Sequence, residues 1–175
     1  MYFQRKKPGN INVATEIIDK GWANVIRETK LAAKSFTKVG LPENSTPVRG
    51  NKKGSGHEQV TEMSKLVMIG AVHEFGSPTK GIPERPFIRP SYDKNKEPLQ
   101  NIIENEYTKI ITGKSTVRLS LGRIGEWMKS KTQAQIRSIT SPPLKLRTIL
   151  RKKSSKPLID TGQMIQSINH VEGFE

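Results

Sequence analysis

Apolar residues repeat at a helical period in the first part of the chain. Between Ile11 and Phe36 they recur close to every 3.6 residues, at positions such as Ile18, Trp22 and Val25. Lysine, arginine and glutamate fill the positions between them. The pattern predicts a long amphipathic N-terminal helix of about 25 residues, whose apolar stripe packs in a core or against another subunit.

A second and a third periodic stretch lie close together in the middle of the chain. The second predicted helix begins near Ser91 or Pro98 and ends at Gly113, a residue that suits the position just after a helix. The third begins after Ser115 or Thr116, either of which can act as its N-cap, and runs to about Ile139. Because only a few residues join them, we expect an antiparallel helical pair.

Strands are predicted in three shorter segments. They are 36–41, 60–72 and 167–172. The second contains the nearly continuous apolar run 66–72, which is typical of a strand buried on both faces, although a short buried helix gives the same pattern. Leu144–Lys156 allows one or two helical turns. Asp160 or Thr161 can cap a further short helix that carries Met164 and Ile165.

Proline dominates the segment between the second predicted strand and the helical pair. His73–Asp93 contains four prolines in 21 residues. Proline fixes φ, removes a hydrogen-bond donor and biases the residue before it towards an extended conformation. We therefore expect Ile82–Pro90 to be a stiff, extended connector, although it carries apolar residues that favour burial.

The length of 175 residues is typical of one domain, and we treat 1–175 as a single unit. Residues 1–9 are polar and basic and are expected to be flexible. Residues 42–57 are rich in proline, glycine and lysine and predict a long mobile loop. The sequence contains no cysteine and no apolar run long enough for a membrane span, so we expect a cytoplasmic product with no membrane partner.

Positive charge is concentrated near the C-terminal end of the chain. The net charge is +14, and residues 113–157 hold twelve basic residues and one acidic residue. Such a field attracts phosphate backbones or acidic protein surfaces, although it also fits a solvated face. The residues predicted to face DNA or an acidic partner lie in the loop and in this basic segment: Arg49, Lys52, Lys53, Arg147, Arg151, Lys152 and Lys153.

Motifs for catalysis are not evident in the sequence. His73-Glu74 begins a zinc-protease pattern, but the second histidine would have to stand at Ser77. We expect no enzyme activity, no metal site and no cofactor. Asp160 is explained as a helix cap, and Glu74 is expected to form an ion pair with Arg85 or Arg89 inside the connector.

Two segments in this order resemble a known family. IGAVHEFGSPTKGIPERPFIRPSYD spans Ile69–Asp93, SKPLIDTGQMIQSINHV spans Ser155–Val171, and LGRIGEWMKSKTQAQI lies between them. The order is similar to that in the tail-completion or neck proteins of tailed bacteriophages, which overlap the Mu-like virion morphogenesis proteins. Met164 stands where that family usually has leucine. The resemblance covers roughly residues 60–172.

The resemblance implies an α+β subunit, in which a long helix and an antiparallel helical pair pack on a small antiparallel sheet. It implies a non-enzymatic virion protein, assembled in the host cytoplasm, whose ring joins the capsid portal or connector to the tail and lines the DNA passage. Six copies are expected first and twelve second, with portal or connector proteins and tail tube or tail terminator proteins as partners. Contact with packaged DNA would be non-specific. A basic DNA-binding protein of phage packaging or regulation is the alternative.

Rings use heterologous interfaces, in which one patch meets a different patch on the neighbouring copy. On this reading the stiff connector supplies one such patch. The residues expected at the subunit interface are Ile82, Arg85, Phe87, Ile88 and Arg89.

Overall fold

The computed structural model describes residues 21–41, 62–152, 155–159 and 162–174. Six helices and two strands follow one another in this part of the chain. They are α1 (Trp22–Ala32), β1 (Ser35–Gly40), α2 (Glu62–Phe75), α3 (Ile88–Ile111), α4 (Val117–Ser138), α5 (Leu146–Lys152), α6 (Gln163–Ser167) and β2 (Asn169–Phe174), with a short 3-10 turn at Pro78–Lys80 between α2 and α3. The predicted α+β fold is confirmed.

The two strands form a small antiparallel sheet. Ser35 pairs with Phe174 at one end, and Gly40 pairs with Asn169 at the other. The predicted strand at 36–41 is therefore confirmed, and the closing strand is present two residues later than expected. Helix α1 ends at Ala32, and Phe36 lies in β1. The helix predicted to run to Phe36 therefore extended four residues too far. The Ser35 hydroxyl donates to the Leu31 carbonyl at 2.6 Å where the chain leaves the helix.

The second predicted strand is a helix. The segment around Leu66–Val72 belongs to α2, and the buried residues on its described part are Leu66, Gly70 and Glu74. This spacing of four places them on one face of a helix. Glycine and glutamate interrupt the apolar pattern on that face, so the helical period was hidden in the sequence. The strand prediction was wrong for residues 62–72 for this reason, and residues 60 and 61 lie outside the described residues.

Helices α3 and α4 form the predicted helical pair, joined by a short turn in which Gly113 adopts φ +70°. Helix α3 begins at Ile88, earlier than predicted. Pro90 permits this start, because it lies in the first turn, where no backbone donor is needed. Pro98 lies inside the helix. The predicted cap at Thr116 is confirmed, since its hydroxyl accepts from the N–H of Leu119 at 3.4 Å.

Helix α4 also packs directly against the sheet. Gly125 is buried at this contact, and a Cβ at its position would lie about 2.5 Å from the ring of His170 and 2.9 Å from the hydroxyl of Thr37. A larger residue would have to push the two elements apart. The glycine therefore lets both strands lie close to the helix.

The main core joins segments that are distant in the sequence. Phe87, Ile136 and Ile168 are fully or almost fully buried there. The cluster is completed by Leu66 of α2, by Ile139 after α4 and by three residues of the C-terminal segment, Leu158, Met164 and Ile165. The two segments that carry the family resemblance therefore meet in one core. Residues 1–20, the loop 42–57, Asp160 and Thr161 lie outside the described residues.

Candidate assembly interface

Glu74 fixes the junction between α2 and α3. Its carboxylate accepts hydrogen bonds from the backbone N–H groups of Phe87 at 2.7 Å, Ile88 at 2.9 Å and Arg89 at 3.0 Å. These donors belong to the N-cap residue Phe87 and to the first turn of α3, which has no local side-chain cap. A carboxylate at a helix N-terminus satisfies free donors and interacts favourably with the helix dipole. Glu74 thus caps α3 from another helix.

Arg89 completes this arrangement. Its Nε donates to the Glu74 carboxylate at 3.1 Å, and its Nη2 donates to the Glu74 carbonyl at 2.7 Å. Burial by itself would raise the pKa of Glu74, but the three backbone donors and Arg89 outweigh it and leave the pKa lowered. The hydrogen bond to the Glu74 carboxylate raises the pKa of Arg89. The predicted ion pair of Glu74 is therefore with Arg89, and Arg85 has other partners.

Arg85 links the connector to the chain that follows α4. Its Nε donates to the carbonyl of Pro142 at 2.9 Å and its Nη2 to the carbonyl of Pro143 at 3.2 Å. Its backbone N–H donates to the carbonyl of His73 at 2.7 Å. Just before it, Ser77 and Ile82 exchange two backbone hydrogen bonds around the 3-10 turn. The connector is thus held at both ends, and within the predicted extended stretch Ile82–Pro90 only residues 83–86 lie outside any bridge, bend or helix.

The structure corrects the predicted interface at one position. Phe87 is fully buried in the chain's own core, so it has no surface to offer to a neighbouring subunit and its predicted role at an interface was wrong. Arg85 is 5% exposed, and its contact with a neighbouring subunit stays a prediction. Ile82, Ile88 and Arg89 remain partly or largely exposed, and for them the interface stays a prediction.

An exposed apolar patch lies at the rigid corner between α2 and α3. The side chain of Arg89 is 53% exposed, and its guanidinium lies over the ring of Phe75, 5.1 Å from the ring centre. Phe75 is 63% exposed and Tyr92 is 48% exposed. Tyr92 follows Ile88 by one helical turn, so both lie on the same side of α3. We call Phe75, Ile88, Arg89 and Tyr92 the corner patch.

Sequence reasoning missed half of the corner patch. Neither Phe75 nor Tyr92 was among the residues predicted at the interface. The signal in the sequence was the spacing of four between Ile88 and Tyr92. This spacing places both residues on one side of a helix only if the helix starts before Pro90. The early helix start depends on Glu74, which is distant in the sequence.

The described basic side chains of α4, α5 and the segments beside them are exposed or partly exposed. Among those predicted to face DNA or an acidic partner, Arg147 is exposed on α5. Arg151 and Lys152 end that helix, and their side chains are not described. Arg49, Lys52, Lys53 and Lys153 lie outside the described residues.

A second buried carboxylate joins α3 to α4. Glu106 accepts from the hydroxyl of Ser120 at 2.9 Å and from Nη1 of Arg123 at 3.0 Å, and it also pairs with Lys109. Burial raises the pKa of Glu106, but the hydrogen bonds from Lys109, Ser120 and Arg123 outweigh this effect and lower it. All its partners belong to the helical pair. Glu106 therefore has a structural role.

In the described part of the chain, no group of three or more His, Cys, Asp or Glu side chains could hold a metal ion. His73 lies on α2 and His170 on β2, so the two rings belong to different elements. Within the same residues, no helix combines the length and the apolar character needed to cross a membrane.

Comparison with known proteins gives one short local match. Over 46 residues the sequence is 48% identical to an uncharacterized protein of the archaeon Methanocaldococcus jannaschii. The match covers 26% of this chain, and the chain spans about a third of the length of that curated relative. No family model matches the sequence. No solved structure matches it either.

Proposed function

We propose that this protein is a structural subunit of the bacteriophage neck, where a ring of copies joins the capsid portal or connector to the tail and surrounds the DNA passage. The observation that carries the proposal is the corner patch. It combines two exposed aromatic rings, an aliphatic side chain and an arginine on a junction that the Glu74 contacts hold rigid. Aromatic residues and arginine are enriched where protein surfaces meet.

The proposal also draws on the sequence resemblance, whose two segments pack against each other in this fold. Phe87 from the first segment lies in the same core as Met164, Ile165 and Ile168 from the second. The core thereby orients the connector, and the corner patch is presented at a fixed angle. A rigid patch loses little conformational freedom when a neighbour docks on it, which favours repeated contacts in a closed ring.

The ring is proposed to contain six copies or, as a second choice, twelve. Its neighbours would be portal or connector proteins on one side and tail tube or tail terminator proteins on the other. The exposed basic residues, such as Arg118, Arg137 and Arg147, would face packaged DNA or an acidic partner protein.

The same basic residues favour a second candidate, a DNA-binding protein of phage packaging or regulation. It requires that the isolated chain binds DNA at physiological salt, with an affinity that falls steeply as salt rises. Fluorescence anisotropy with a labelled random-sequence duplex over a salt series separates the candidates. Tight binding by a chain that never assembles favours this second function.

Disrupting the corner patch is expected to prevent self-assembly. In the double variant F75S/Y92S, two exposed rings are removed from the proposed contact, and we expect the dissociation constant of the oligomer to rise by about a hundredfold or more. Both side chains are largely exposed, so the fold should be retained, with a circular dichroism spectrum like that of the wild type. Sedimentation velocity over a concentration series measures the effect.

The matched control is the double variant Y107S/F174S. It removes one tyrosine and one phenylalanine that are also exposed but lie at the other end of α3 and on β2. We expect this variant to assemble like the wild type. If it dissociates while F75S/Y92S assembles normally, the corner patch is not the subunit contact.

A further inference from the structure

An open cleft of about 640 Å³ lies between α2, the 3-10 turn, the chain around α5 and α6. Its apolar lining includes Leu66, Ile69 and Met164, and basic residues are also present. Lys80 and Lys145 line it and are exposed, so the cleft opens to solvent between two cations. A volume of this size is typical of ligand sites and far exceeds the space needed for a single ion.

Arg85 lines this cleft and is buried, with no counter-ion among the residues that the structure describes. Its two side-chain hydrogen bonds go to backbone carbonyls, and no carboxylate of the described residues pairs with it. Nη1 donates to no described residue. Burial lowers the pKa of Arg85, because the charged form is separated from water. Buried guanidinium groups are usually paired with carboxylates, so the side chain of Arg85 favours a ligand that carries an anionic group.

The described part of the lining contains no carboxylate that could pair with Arg85. None of the lining residues that the structure describes is an aspartate or a glutamate. Glu84 is next to Arg85 in the sequence, but it is 59% exposed and pairs with Arg89. The cleft therefore offers one buried cation, two exposed cations and an apolar floor.

We propose that this cleft binds an extended peptide segment of a partner protein, in which an acidic side chain pairs with Arg85 and flanking apolar side chains contact the floor. The planar guanidinium can hold a carboxylate with two parallel hydrogen bonds. The apolar floor favours a ligand with apolar groups beside its charge, and the open sides allow a chain to enter and leave. Recognition of this kind is distinct from the corner patch and does not require a ring.

Selection from a displayed library of random peptides, each about twelve residues long, tests the proposal with the full-length chain. We expect the enriched sequences to contain aspartate or glutamate flanked by apolar residues. The best binder is then labelled, and its affinity is measured by fluorescence anisotropy. Replacing its acidic residue with the corresponding amide should weaken binding about thirtyfold or more, since the buried cation loses its partner. The NMR signal of the Arg85 Nε–H should shift on binding.

Charge reversal at the rim provides variants that keep Arg85 and its hydrogen bonds intact. The variant K80E/K145E should bind the peptide about tenfold more weakly than the wild type. The control K96E/K114E reverses two exposed lysines that do not line the cleft, and its affinity should stay within about twofold.

Several results would overturn the assignment. The selection could enrich no peptide, or the enriched peptides could lack acidic residues. The variants K80E/K145E and K96E/K114E could also lose equal amounts of affinity for the peptide. If inorganic phosphate shifts the Arg85 signal and binds as tightly as the peptide, the cleft is a simple anion site and the peptide assignment is wrong. None of these outcomes bears on ring formation, which the patch variants measure separately.

Discussion

Replacing Phe87 with alanine is expected to lower the free energy of unfolding by about 3 to 5 kcal/mol. Phe87 is fully buried in the core that joins α2, the end of α4 and the C-terminal segment. Its removal would leave a cavity where these segments meet. Domains are commonly stable by only about 5 to 15 kcal/mol, so a loss of this size is a large part of the total. Urea unfolding followed by circular dichroism measures it.

Phe75→Ala is the matched control. It makes the same substitution at the last residue of α2, where the ring is exposed. We expect it to change the free energy of unfolding by less than about 1 kcal/mol. If Phe87→Ala unfolds like the wild type but fails to assemble, Phe87 belongs to a subunit interface after all. That outcome would contradict the packing described above.

Replacing Glu74 with glutamine is expected to destabilise the fold by about 2 to 3 kcal/mol at neutral pH. The amide keeps the shape of the side chain but has one acceptor oxygen, whereas the carboxylate accepts from three backbone N–H groups and Arg89. The amide NH₂ would face donors at the start of α3. Thermal unfolding of the two proteins at matched pH measures the difference.

The pH dependence of this difference identifies its source. The pKa of Glu74 is lowered in the folded state, so its carboxylate stabilises the fold above the unfolded value of about 4.5. The contribution is lost as pH falls through the folded pKa, where the protonated acid resembles the amide. We therefore expect the two proteins to converge in stability at low pH and to differ fully above about pH 5.

Glu84→Gln is the control for Glu74, since Glu84 also pairs with Arg89 but is 59% exposed. Exposed ion pairs contribute little, so we expect a change of less than about 1 kcal/mol at any pH. A difference for Glu74→Gln that stays constant down to low pH would show that packing, and not the charged cap, is responsible.

The sequence was sufficient where local signals agree with the final packing. The helical pair, its turn at Gly113 and the cap at Thr116 were predicted because period, glycine and N-cap all lie within a few residues of each other. The two strands that form the sheet were also found. Their pairing joins the two ends of the described chain, which a local pattern cannot reveal.

The sequence was insufficient where the deciding contact is distant. Helix α2 buries Gly70 and Glu74 beside Leu66, and an apolar run that also contains exposed Met68 and Ile69 conceals this face. Glu74 lies 13 residues before Phe87, so its role as the cap of α3 is a tertiary property. Because α2 was predicted as a strand, the cap from Glu74 was not foreseen. The connector was therefore predicted to be extended as far as Pro90, and Phe87 was predicted at an interface.

Electron microscopy of the purified full-length protein tests the central proposal most directly. We expect closed rings with a central opening, with six or twelve copies as the proposed numbers, and we expect F75S/Y92S to yield separate subunits under the same conditions. Separate subunits of the wild-type protein at every concentration, together with tight and salt-sensitive binding to DNA, would contradict the proposed ring and favour a DNA-binding protein.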